Sequence, residues 1–163
     1  MPRSCLDVPH YQQVADHTCL PACVRMVLAY HGLEKSEEDL ADLLDTDFTG
    51  TPAACVHRLE GLGFLTVLHE ACWEDLQRYV GMGLPCIALV YTIHFPHYAA
   101  HPGGNHTVVV AGIGRDTVLI HDPLQPTGPV AIPRASFEAA WEARRNRLIV
   151  IARVQTSPVT KHA

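Results

Sequence analysis

The most apolar run in the first half of the chain, "CLPACVRMVLAY", carries one firmly charged residue, Arg25. That pattern predicts a helix from about Cys19 to His31 that is apolar nearly all round and therefore buried. Thr18 stands where an N-cap belongs, Pro21 fits the first turn, and Gly32 follows the end. "SEEDLADLL" starts like a capping box, with Ser36 ahead of Asp39, and predicts a short second helix. "TPAACVHRLEGLG" predicts a third, from near Thr51 to the glycines at 61 and 63. "FLTVLHE" reads as a short strand and "WEDLQRYVGMG" as a helix with a glycine exit.

The period changes in the second half. "PCIALVYTI", "HTVVVAGI", "TVLIHD" and "RLIVIARV" are rich in β-branched residues and bounded by Gly, Pro and Asp, which predicts strands. "RASFEAAWEARR" reads as a helix between the last two. Helices first and mostly adjacent strands afterwards predict an α+β fold with an antiparallel sheet. No linker interrupts the pattern, so residues 1–154 are expected to form a single domain with a cleft between its helical and sheet parts. Residues 155–163, ending in "TSPVTKHA", read as a flexible tail.

Composition narrows the function classes. At 163 residues, 48% of them hydrophobic and 18% charged, the chain can bury a core without staples. A net charge of −5 without a basic run argues against nucleic acid or an anionic membrane as partner. No stretch approaches a membrane span, and the N-terminus lacks the apolar core of a signal peptide. The six cysteines are scattered through helix-like and strand-like runs, which points to free thiols in a cytoplasmic setting.

Two of those features carry chemistry. Cys19 falls at a helix start, where the dipole and unpaired N–H groups favour a thiolate. Cys23, one turn on, sits deeper and reads as packing. Gln13, six residues before Cys19, could direct its amide N–H₂, together with the Cys19 backbone N–H, at a developing oxyanion; Gln12 is its rival. "GGNHTVVVAGIGRDTVLIHDP" reads as a hairpin with the loop Gly114-Arg115-Asp116. That loop pairs Ile113 with Thr117 and sets Val108 opposite Asp122, so His106 and Asp122 become diagonal neighbours on one face. A two-residue loop would put them on opposite faces. In the first arrangement His106 is the proton carrier for Cys19 and Asp122 orients its ring. His121 alternates to the other face.

"QVADHTCLPACVRMVLAYHG" together with "NHTVVVAGIGRDTVLIHDP" resembles the bacteriocin-processing, double-glycine-leader cysteine peptidases, a papain-like group. In that family a glutamine six residues before the cysteine, a histidine opening a strand and an aspartate sixteen residues later form the site. Gln13, Cys19, His106 and Asp122 stand at those positions. The resemblance implies a papain-like fold, a thioester intermediate and cleavage after two small residues, usually Gly-Gly, of a leader peptide. Two departures stand out. Leu20 follows the cysteine where the family usually has glycine, and the membrane and ATP-binding parts of an exporter are not in this sequence. The chain is accordingly read as a free-standing relative, or an excised domain, acting on a leader peptide with a separate export system as a possible partner.

Other readings compete. "HFPHYAAHPGGNH" gathers His94, His97, His101 and His106, which suits a lid over the cleft better than a zinc site. No cofactor and no metal are expected: the chain has no CxxC and no GxxxxGK[ST]. The alternatives to a peptidase are a domain that grips a leader peptide without cutting it, and an amidase or transferase that forms the same thioester.

Overall fold

The computed structural model describes residues 5–155. Its elements are α1 (Cys19–Tyr30), α2 (Glu37–Leu43), a 3-10 helix (Ala53–Leu62), β1 (Phe64–Glu70), α3 (Trp73–Gly81) and β2 (Cys86–Tyr91). Then come two short 3-10 turns (Thr92–His94 and Pro96–Tyr98), β3 (Asn105–Ile113), β4 (Thr117–His121), β5 (Val130–Pro133), α4 (Arg134–Glu142) and β6 (Arg147–Arg153). Six strands form one antiparallel sheet in the order β1-β6-β2-β3-β4-β5. All six cysteines are free. The tail expected from 155 falls almost wholly outside the described residues.

Helices cover both faces of this sheet, which explains why its inner strands β2, β3 and β6 are buried in continuous runs rather than alternating. Ile87, Leu89, Val109 and Ala111 pack under α1 and α2 with Leu20, Val24, Val27 and Leu40. Cys86, Ala88, Val90, Val108 and Val110 face the other way, onto Trp73, Phe137 and Trp141. The expected split into a helical half and a sheet half therefore needs correction. β1 comes from the first half yet pairs with β6 along all seven of its residues. α3 and α4 lie against the face opposite α1. The third predicted helix is a 3-10 helix ended by Gly63 at φ 88°. β5 was not expected: it is four residues long, ends in Pro133 and lies at the sheet edge, where proline is tolerated.

α1 is apolar for the reason its sequence suggests, with eight buried residues, and Arg25 sets its guanidinium over the Tyr11 ring at 3.9 Å. Ser36 caps α2 by accepting from the Asp39 N–H at 3.0 Å. Thr18 does not cap α1. Its hydroxyl donates to the Ala15 carbonyl at 2.9 Å and accepts from the Ala15 N–H at 3.2 Å, closing the turn before the helix instead.

The β3–β4 hairpin reaches the expected pairing by a different route. Ile113 pairs with Val118, not Thr117. The Gly114 N–H donates to the Thr117 carbonyl at 2.8 Å across a two-residue Arg115-Asp116 loop. Such a loop alone would have put His106 and Asp122 on opposite faces. A β-bulge between Val110 and Gly112 inserts one residue and restores the register, so Val109 pairs with His121. The bulged Ala111 offers its carbonyl to the Leu6 N–H at 2.8 Å.

Candidate active site

Cys19 opens α1, where the first N–H groups have no intrahelical acceptors. No acidic side chain stands in that first turn and no side chain caps it, so the positive end of the helix is left to the thiol. The segment leading into α1 is tied on two sides. The Gln13 N–H donates to the Pro123 carbonyl at 2.8 Å, and the Val14 N–H donates to Glu37 at 3.1 Å.

His106 stands second in β3, alternating with Val108 and Val110 on the face away from α1. At this end of the sheet His106 lines a cavity together with Cys19, the first residue of α1. His106 Nε2 bonds Asp122 Oδ1 at 2.8 Å, which leaves Nδ1 for Cys19. Asp122 is wholly buried and His106 nearly so, at 5% exposure. Such burial would neutralise an isolated carboxylate, but four donors hold this one. Leu124 N–H reaches Oδ1 at 3.0 Å, the Tyr98 hydroxyl reaches Oδ2 at 2.9 Å, and His97 Nε2 bonds Oδ2 at 2.8 Å.

The protonation pattern follows. Burial opposes the charge on Asp122, yet the hydrogen bond and charge of His106, with His97 and Leu124, hold it down to about 2. Burial would lower His106, but hydrogen bonds to Asp122 and Cys19, and their charges, raise it to about 9. Burial works to raise Cys19; hydrogen bonding and charge from His106, and hydrogen bonding from Thr107, outweigh it and bring the thiol below its ordinary range. The arrangement therefore makes the Cys19 thiol more acidic than an ordinary cysteine and its imidazole neighbour more basic than an ordinary histidine. Cys23 is the contrast: wholly buried and bonded to the Thr107 carbonyl at 3.4 Å, it is pushed well up by burial. His121 points to the other side of the hairpin, 3.0 Å from His10, and burial takes it down to about 4.

Gln13 is buried and Gln12 exposed, which separates the two rivals. The Gln13 amide does not point as expected. Its N–H₂ donates to the Ala15 carbonyl at 2.6 Å, and its Oε1 is buried without a partner. The histidine-rich loop is anchored rather than detached: Phe95 and Tyr98 are buried, and His97 and Tyr98 grip Asp122. Among the described residues no three His, Cys, Asp or Glu side chains are grouped to hold a metal ion.

Two cavities flank the thiol–imidazole pair and share Asn105 and His106. One, of about 280 Å³, is lined by Cys19, Leu20, Thr51, Thr107, Arg144 and Arg147 among others. The other, of about 690 Å³, lies under Tyr98, His101 and Leu124. Cys19 lines the smaller of the two, and His106 lines both. Leu20, 3% exposed, forms part of the smaller wall. The sequence did not reveal His97 and Tyr98 as partners of Asp122, nor Arg144 and Arg147 as cavity residues. The cluster "EARRNR" in an acidic chain was the one available signal for the arginines.

Comparison with known proteins gives a consistent picture. The family model described as "Peptidase_C39 like family" matches residues 5–149. The chain is 30% identical over 138 residues to the mesentericin transport/processing ATP-binding protein MesD of Leuconostoc mesenteroides, covering 82% of this chain and 18% of that protein. The chain thus spans about a fifth of that relative's length. Among solved structures, a putative C39-like peptidase from Bacillus anthracis superposes with a TM-score of 0.76 at 20% identity, covering 92% of this chain and 96% of that one. A double glycine motif protease from an AMS/PCAT transporter, in complex with the leader peptide, superposes at 0.72 with 22% identity, covering 93% and 96%. At those identities the two structures show that the fold is shared.

Proposed function

The chain belongs to the Peptidase_C39 like family of cysteine peptidases, and from that premise we propose that it is an endopeptidase cleaving a peptide after small residues of the Gly-Gly leader type. Cys19 is its nucleophile, His106 its acid and base, and Asp122 the group that orients and charges the imidazole. The observation that carries this reading is the helix-start thiol drawn below its ordinary pKa beside an imidazole that a four-donor carboxylate holds.

The Cys19 thiolate attacks the scissile carbonyl carbon, forming a C–S bond and moving the carbonyl electron pair onto oxygen. The Cys19 backbone N–H faces that oxygen. Gln13 joins it by turning its N–H₂ from the Ala15 carbonyl, and the buried, partnerless Oε1 gives it no competing anchor. His106 then donates its proton to the departing amine nitrogen as the C–N bond breaks, leaving a thioester. Water attacks the thioester while His106 takes its proton, and the new carboxylate leaves as the thiolate returns. Residues 1–154 are the unit that performs this. We place its substrate among leader peptides bound for export, handled together with an export system, in a cytoplasmic compartment. The support is the mesentericin relative, which is a transport/processing protein. Among the described residues no helix is long and apolar enough to cross a membrane.

Incubating the protein with a panel of Gly-Gly leader peptides and reading the products by mass tests the proposal. Cleavage at one bond, abolished in Cys19→Ala, is the expected result; tight peptide binding without products would instead assign a leader-binding domain.

A further inference from the structure

After α4 the chain turns sharply through "RRNR". Arg145 and Asn146 sit at φ 61° and 52°, a left-handed conformation that persists only where surroundings enforce it. Three hydrogen bonds enforce it here. Asn146 N–H donates to the Trp141 carbonyl at 3.0 Å and Ala71 N–H donates to the Asn146 carbonyl at 2.9 Å. The Trp141 indole N–H donates to the Arg147 carbonyl at 3.0 Å. This pinned turn sorts the arginines. Arg145 points outward and pairs with Glu70 at 2.6 Å. Arg144 and Arg147 are half-buried and line the smaller cavity with Cys19.

Among the described residues neither Arg144 nor Arg147 forms an ion pair with a carboxylate. Arg147 Nε donates to the Arg144 carbonyl at 3.3 Å, which ties the Arg147 side chain to the Arg144 backbone. Burial, and then the Arg147 charge, lower the pKa of Arg144, while the Cys19 charge works in the opposite direction. Two cations held together beside the nucleophile, in a chain of net charge −5, form a local positive site against the general charge. An anion entering the cavity would relieve their repulsion, and each planar guanidinium can accept a carboxylate in a paired geometry.

We propose that Arg144 and Arg147 form a carboxylate-binding subsite of the cleft, selecting peptides that carry a glutamate or aspartate close to the scissile bond. The proposal deepens the peptidase reading and rests on it for the identity of the ligand.

Two measurements test it. Iodoacetate and iodoacetamide are alike in size, but one is anionic and the other neutral. Their alkylation rates at Cys19, read by peptide mass, give a ratio that cancels changes in thiolate reactivity. The ratio is expected to fall about 10-fold in R144Q/R147Q and to be kept in R144K/R147K. An unchanged ratio in R144Q/R147Q overturns the subsite. In the second measurement, Gly-Gly peptides carry Glu or Gln at each position flanking the cut. Glu is expected to raise kcat/KM about 10- to 100-fold at one position, through KM. That preference should vanish in R144Q/R147Q and become a Lys preference in R144E/R147E. Equal cleavage of the Glu and Gln peptides at every position overturns the assignment to substrate. If no peptide is cut, the peptidase reading fails, and the alkylation ratio, which needs no turnover, still decides the subsite.

Discussion

Replacing Asp122 by Asn removes one charge from the centre of the site while keeping its size. The Asn carbonyl can still accept from His106, and the Tyr98 hydroxyl, by turning, and His97, by changing tautomer, can accept from the new amide. The charge is lost. From the carboxylate end, the fall from 3.8 to about 2 corresponds to roughly 2 kcal/mol. From the imidazole end, the rise from 6.5 to about 9 corresponds to roughly 3 kcal/mol, and that figure also contains the Cys19 thiolate. The first figure also contains His97 and Leu124, and the two overlap in the His106 contact, so they are not summed, and we assign roughly 2 kcal/mol to the carboxylate charge. Losing it should lower kcat/KM about 30-fold at neutral pH. The pH profile should also narrow. The wild-type alkaline limb, set by loss of the His106 proton near 9, should move down, and the acid limb, set by Cys19 ionisation, should move up as the imidazolium weakens. The assay is kcat/KM for a cleaved leader peptide between pH 5 and 10. A variant profile superimposable on wild type would refute the reasoning.

Three further outcomes follow from the same geometry. Tyr98→Phe removes the hydroxyl that donates to Asp122 at 2.9 Å; it should cost about 1–3 kcal/mol in urea unfolding and, with the Asp122 charge retained, leave the alkaline limb of the pH profile close to that of wild type. Cys23→Ala, at a wholly buried thiol bonded to Thr107, should cost about 1 kcal/mol of stability and leave Cys19 alkylation at wild-type rate. The His106–Asp122 contact should also show in stability against pH. The raised imidazole contributes fully below 6.5 and loses its contribution as pH rises through about 9. The lowered carboxylate contributes fully above 3.8 and loses its contribution as pH falls through about 2. The stability gap between wild type and Asp122→Asn should therefore be widest between those limits, at about pH 4–6, and shrink on either side.

Much of this was legible from local pattern because local physics sets it. The apolar run around Cys23, Val24 and Val27 could only be a buried helix, and its first residue could only sit at the positive end. The hairpin was legible for a subtler reason. The loop expected at Gly114-Arg115-Asp116 is wrong by one residue, and the bulge at Ala111 is displaced by one in compensation, so Val109 meets His121 as expected. A bulge leaves little local trace, since its cause is tertiary: the Leu6 N–H takes up the Ala111 carbonyl from a distant part of the chain. β5 was hidden among prolines that exclude a central strand but not an edge. His97 and Tyr98 lie 25 and 24 residues from the carboxylate they hold, a distance at which no periodicity speaks. Gln13 shows the limit of spacing alone: the residue is buried, but its donor is bound to Ala15.

We propose that its place at the start of α1 and the neighbouring His106 make Cys19 more acidic than an ordinary cysteine. Iodoacetamide labelling of the folded protein from pH 5 to 8, with each cysteine followed by peptide mass, measures this directly. Cys19 should label far faster than Cys23 and Cys86, whose burial raises their pKa, and should keep its rate well below pH 8. Uniform labelling of the accessible thiols, or a Cys19 rate that falls away below pH 8 like that of an ordinary cysteine, would contradict it.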